Sequence, residues 1–86
     1  MAKRTSRNWG LLLAETRKQR GLSQKHIAAT LGVTTSRVSQ IEHGRVTSFE
    51  VIARYIEALG GRLDLVAEFR DRIVRLRVSD TWTKVA

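Results

Sequence analysis

The sequence predicts a mainly α-helical domain of four to five helices that ends in a β-hairpin. Two observations carry that prediction. Between Trp9 and Leu59 apolar residues recur at three- and four-residue spacing, in short segments opened by serine or threonine or closed by glycine. After Gly60-Gly61 the period changes to alternation, over "RLDLVAEF" and "RIVRLRV". With 86 residues the chain supports one domain and one modest core.

Residues 1–8, "MAKRTSRN", are basic, polar and aperiodic, and read as a flexible arm. The first helix is expected from Trp9 to Arg20, with Trp9, Leu12, Leu13 and Thr16 inward and Gly21 as its stop. Ser23 suits the N-cap of a second helix through Leu31, whose inner face is Ile27, Ala28 and Leu31, and Gly32 ends it. Thr34 caps a third helix, Thr35 to His43, with Val38 and Ile41 inward and Gly44 closing it. Ser48 caps a fourth, Phe49 to Leu59, where Phe49, Ile52, Ala53, Ile56 and Leu59 form the inward stripe. These helices make up residues 9–59.

Residues 60–78 read as a hairpin turning at Arg70-Asp71. A two-residue turn sets Asp64 opposite Arg77, Leu65 opposite Leu76 and Ala67 opposite Val74, pairing charge with charge and apolar with apolar. The turn holds no glycine or asparagine, which leaves a longer loop open. The tail 79–86, "SDTWTKVA", is mostly polar, and nothing in the sequence says where Trp82 docks.

Charge divides the chain. The net charge is +8, and Met1–Arg45 holds nine basic residues against two acidic ones, whereas the remainder holds seven against six. A basic half joined to a near-neutral half implies a polyanion-binding face and a separate second role. No cysteine is present, which excludes disulfides, thiolate zinc sites and cysteine nucleophiles. His26 and His43 have no acidic cluster beside them, so no metal is expected. His26 reads as a surface residue. No Ser/His/Asp arrangement, phosphate-binding glycine loop or paired carboxylate occurs at a meaningful spacing, so the sequence predicts no enzyme and no cofactor. "WGLLLA" is too short to span a bilayer or to serve as a signal-peptide core, and a soluble cytoplasmic protein without a membrane partner is expected.

The informative spacing is Gln24, Ala28, Gly32, Val38 and Ile41. Two helices crossing steeply after a short turn need a small residue at the crossing, here Ala28, and one that accepts positive φ in the turn, here Gly32. With Val38 and Ile41 inward, a step of about 100° per residue points Ser36, Ser39, Gln40 and His43 outward, flanked by Thr35 and Arg37. Short donors and acceptors with one arginine suit base edges, whereas an ordinary solvated face favours Glu, Lys and Ala. Lys25, Arg45, Thr47 and Ser48 flank that helix as candidate phosphate contacts, Arg45 foremost because it follows the helix-ending glycine. With five aromatics in all and none on this face, single-stranded RNA lacks a stacking platform.

Gly21 to Leu59 resembles the DNA-binding domain of the Cro and phage-repressor (XRE-type) helix-turn-helix family. "GLSQ" opens the motif, "LGV" stands at its turn and "IEHG" closes it, over about half the chain. The resemblance implies a repressor-like DNA-binding domain in a homodimeric transcriptional regulator of double-stranded DNA, with the third helix in the major groove. It also implies a phosphate contact at Gln24, where helix N-terminal N–H groups favour anions, and an ion pair between Arg17 and Glu42. "YIEALGGRLDLVAEF" further resembles the C-terminal part of HigA-like antitoxins. That gives the alternative reading: an antitoxin that binds a toxin protein and autorepresses its operon.

A lone two-stranded hairpin is marginal in water, so this one lies on the helices, pairs with another copy, or both. Leu63, Leu65, Ala67, Phe69, Val74, Leu76 and Val78 form a face too apolar to leave exposed, and Val66 and Ile73 stand among charges on the other. Its open edges invite strand addition. These nine residues are the expected dimer interface, joining two reading heads on a palindromic operator.

Overall fold

The computed structural model describes residues 9–46 and 48–79; the basic arm 1–8, Thr47 and residues 80–86 with Trp82 lie outside the described residues. Four helices are followed by one two-stranded antiparallel sheet: α1 (Trp9–Gln19), α2 (Gln24–Leu31), α3 (Thr35–Glu42), α4 (Phe49–Ala58), β1 (Asp64–Glu68) and β2 (Ile73–Arg77).

Local chemistry sets the helix starts. Ser23, Thr34 and Ser48 are extended residues whose side-chain oxygens accept the backbone N–H three residues on, from His26, Arg37 and Val51. The turn between α2 and α3 needs one left-handed residue, and Gly32 supplies it at φ 73°. Its N–H and that of Val33 then bond back to the Ala29 and Ala28 carbonyls, closing α2. The core is Ile27, Ala28, Val38, Ile41, Val46, Tyr55 and Leu59, with Ala28 at the packing of α2 on α3. Val46, just beyond α3, is a core member that the sequence reading did not single out.

Two expected inward stripes are corrected. In α1 the buried residues are Gly10, Ala14 and Arg17, Leu13 is half-buried against the core, and Leu12 is 54% exposed. Thr16 instead donates its hydroxyl to the Leu12 carbonyl at 2.8 Å. The cause is a close helix approach: a Cβ on Gly10 would lie 2.7 Å from the Glu42 carbonyl oxygen and the Gly44 nitrogen, so only the small face of α1 fits there. In α4, Phe49 is 55% exposed, and Tyr55, absent from the expected stripe, is fully buried. Ile52, Tyr55 and Leu59 follow i, i+3, i+7 spacing, and Tyr55 turns inward because its hydroxyl finds a buried carboxylate. The third helix ends at Glu42, with His43 as its C-cap.

The hairpin has the register Asp64↔Arg77, Leu65↔Leu76, Val66↔Arg75, Ala67↔Val74 and Glu68↔Ile73. The Phe69 N–H donates to the Arg72 carbonyl at 2.8 Å across the two-residue turn. Among the described residues no non-glycine has positive φ, so this turn avoids the mirror-image geometry that demands Gly or Asn. The Asp64 carboxylate pairs with Arg62 (3.2 Å) and, diagonally, with Arg75 (3.6 Å), although Arg77 stands opposite it in the ladder. Long guanidinium arms reach diagonal neighbours on one face. Ser79, expected in the polar tail, is buried: its N–H donates to the Leu63 carbonyl and its Oγ accepts the Leu63 N–H, each at 3.0 Å. Those bonds anchor the base of the hairpin. Neither strand packs extensively on a helix.

Candidate nucleic-acid interface

Burial of Val38 and Ile41 fixes the rotation of α3 about its axis. Thr35, Ser36, Arg37, Gln40 and His43 are consequently exposed and Ser39 half-buried. Ser36, Ser39, Gln40, His43 and Arg45 line one shallow cleft. Arg37, which lies outside this cleft, donates through Nη1 to Gln40 Oε1 at 3.3 Å. His43 Nδ1 lies 2.7 Å from the Ser39 carbonyl, an acceptor only, so Nδ1 carries a proton and donates it there. Arg45 is held by backbone: its N–H donates to the Gln40 carbonyl at 3.0 Å, past Gly44 at φ 74°.

The flanking residues differ in how free they are. Lys25 is exposed in the first turn of α2, and the Ser48 hydroxyl caps α4. Thr47 lies outside the described residues. Gln24 begins α2, but its amide nitrogen is turned inward and donates to Glu42 Oε1 at 2.9 Å.

Glu42, the last residue of α3, is the hub of a buried network. Arg17 from α1 donates through Nε to Oε2 (2.6 Å) and through Nη2 to Oε1 (3.2 Å). Its Nη1 also donates to the Leu22 carbonyl at 2.9 Å. Tyr55 from α4 donates its hydroxyl to Oε2 at 2.5 Å. Arg17 is 7% exposed and Glu42 8%, so this is a buried pair and not a surface one. Burial alone would raise the Glu42 carboxyl, but hydrogen bonds from Arg17, Tyr55 and Gln24 outweigh it and hold the group below the usual carboxylate range. The hydrogen bond to Glu42 raises the Arg17 guanidinium, and burial beside that carboxylate raises the Tyr55 phenol well above its ordinary value. Helices α1, α2 and α4 thus all fasten the end of α3.

Tyr55, the inward turn of Gln24 and Gly10 escaped the sequence reading. The i+3 step from Ile52 to Tyr55 was a signal for the first. Gly10 has none, because only the tertiary approach of α1 to Glu42 and Gly44 gives it meaning.

The expected dimer residues occupy the hairpin with uneven burial. Leu63, Leu65, Ala67, Val74 and Val78 are half-buried, whereas Val66, Phe69, Ile73 and Leu76 are exposed. At its base Leu63 and Leu65 continue into an open apolar groove walled by Trp9, Leu12, Phe49, Ile52 and Ile56. Among the described residues no cluster of His, Asp and Glu could hold a metal ion, and no helix is long and apolar enough to cross a membrane.

Comparison with known proteins agrees with this architecture. Residues 13–66 match the family described as Helix-turn-helix. The chain is 43% identical over 67 residues to "Putative antitoxin HigA3" of Mycobacterium tuberculosis, and 38% identical over 66 residues to "Putative antitoxin HigA2" of the same organism. Each match covers 74% of this chain but only 62% and 65%, respectively, of those relatives' lengths. Two similar solved structures are described as "DNA bound antitoxin HigA3" (TM-score 0.68) and "Induced DNA bending by unique dimerization of HigA antitoxin" (TM-score 0.66). Each is 42% identical and covers 73% of this chain and 85% of the other. With a family match spanning more than half its length and a third helix presented on a buried back face, this chain belongs to the helix-turn-helix family.

Proposed function

We propose that the protein is a cytoplasmic, sequence-specific regulator of transcription, most simply a repressor, that binds a palindromic duplex as a homodimer with α3 in the major groove. One observation carries the reading: a polar, exposed helix edge is held against a buried back face, and the Glu42 network fixes its end. Thr35, Ser36, Arg37, Ser39, Gln40 and His43 read base edges. Lys25, Arg45, Thr47 and Ser48 meet phosphates on either side. Gln24 has two amide hydrogens; one serves Glu42, and the other is available to a phosphate at the α2 N-terminus. The hairpin residues join the two copies.

Selection from random duplexes tests this directly. Enrichment of an inverted repeat, with half-sites about one helical turn apart, is the expected result. Enrichment of no sequence over the starting pool refutes base reading by α3.

The antitoxin reading is favoured by the HigA relatives and concerns a second partner, a toxin protein. It is compatible with operator binding, since one chain can neutralise a toxin and repress its own operon. Co-purification with the product of an adjacent small gene, released by that gene's deletion, separates the two roles.

A further inference from the structure

We propose that the groove between α1, α4 and the base of the hairpin receives Phe69 of a second copy, so that two hairpins pack face to face, tip on base. The proposal rests on the dimer reading above and specifies its geometry. Phe69 stands at the tip, 59% exposed, on the face it shares with Leu63, Leu65 and Ala67. At the other end of that face lies the groove, whose rim residues Leu12 and Phe49 are each more than half exposed. A protruding apolar knob and an apolar hollow occupy opposite ends of one surface, six residues or roughly 20 Å apart along the strand.

Two-fold symmetry chooses between two arrangements, because each contact must occur twice with the roles exchanged. An axis running along the strands sets tip against tip and base against base. It brings Arg70 and Arg72 near their own copies and leaves a hollow facing a hollow. An axis perpendicular to the strands sets each tip on the other copy's base. It then covers both knobs and both hollows, and lays the apolar rungs Leu65–Leu76 and Ala67–Val74 between them. Exposed apolar surface of this extent on one side of a small domain calls for such a cover.

The absence of cysteine makes the geometry testable by cross-linking the full chain. Glu15→Cys places a thiol on exposed α1 one turn beyond Leu12, and Arg70→Cys places one at the exposed hairpin tip. In an exchanged mixture of the two variants, a short bismaleimide should join position 15 to position 70. Dominant 70-to-70 links within a dimer overturn the proposal and leave the dimer reading intact. Sedimentation as a monomer overturns that reading as well. Phe69→Ala should weaken self-association by ~30-fold or more, as for a buried aromatic anchor, without loss of helical signal. Unchanged self-association also overturns the proposal. So does a groove covered in the monomer until residues 80–86 are removed, or one still open in the dimer and free for another protein.

Discussion

The hydroxyl of Tyr55 lies 2.5 Å from Oε2 of Glu42, tying the fourth helix to the last residue of the third. Arg17 grips the same carboxylate from the first helix with two of its guanidinium nitrogens. Because all three side chains are buried, deleting one partner leaves another polar or charged group without compensation. Arg17→Met should therefore destabilise the fold by about 3–5 kcal/mol, and Tyr55→Phe by about 1–3 kcal/mol. A double-mutant cycle with Glu42→Gln in denaturant unfolding measures the coupling. Additive single effects would reject the network as an energetic unit.

The same carboxylate sets a pH dependence. Glu42 ionises more readily in the folded protein than in the unfolded chain, whose glutamates titrate at about 4.3. The unfolded state thus binds the proton more tightly, and the stability this group contributes is full above that value. It is lost as pH falls through the lower, folded value. Urea unfolding from pH 7 down to pH 3 should show wild type losing stability on the acid side faster than Glu42→Gln. Parallel curves would mean that another carboxylate controls acid unfolding.

Gly10→Ala offers a test by sign. In an open helix that change stabilises by about 1 kcal/mol. Here the new methyl would stand 2.7 Å from backbone atoms of Glu42 and Gly44, which cannot rotate away. Net destabilisation is expected, about 1–3 kcal/mol as for overpacking, read as a lower thermal midpoint. A raised midpoint would show that α1 can move off the end of α3 at little cost.

What the sequence disclosed, and what it hid, follows from the range of the forces involved. The Asp64↔Arg77 register was legible because alternation and a two-residue turn fix it within 14 residues. The caps at Ser23, Thr34 and Ser48 were legible because each acts on a backbone group three residues away. The orientations of α1 and α4 were not. Leu12 and Phe49 satisfy helical periodicity but serve an external groove, while Tyr55 and Arg17 turn inward for one distant carboxylate. Periodicity counts apolar residues and cannot see a buried polar hub. Ser36, Gln40 and His43 stand exposed on α3, as its rotation was read, because burial of Val38 and Ile41 determines that rotation.

DNA recognition should divide into two separable parts. Gln40→Ala and Ser36→Ala should relax sequence preference with little change in nonspecific affinity. Arg45→Ala should weaken binding to every duplex and reduce the salt slope by about one unit, as a lost phosphate contact does. Affinities for specific and scrambled duplexes over a range of salt concentrations decide the matter. Equal losses on both duplexes for Gln40→Ala would remove it from the base-reading set.

Truncation after Gly60 should yield a folded helical domain that is monomeric. Every member of the buried core lies at or before Leu59, and the partly buried residues packed against it, from Leu13 to Ala58, do too. The hairpin, in contrast, makes its bonds mainly within itself and to Ser79. Removing it should leave near-native helical content while abolishing self-association at micromolar concentration. The shortened chain should also bind a half-site weakly and lose any preference for two half-sites set about 34 Å apart, because nothing then fixes the distance between heads. Sedimentation of both chains, with circular dichroism on the shorter one, is the deciding measurement. A truncated chain that still dimerised would move the interface onto Leu12 and Phe49, whose exposed side chains remain after the cut.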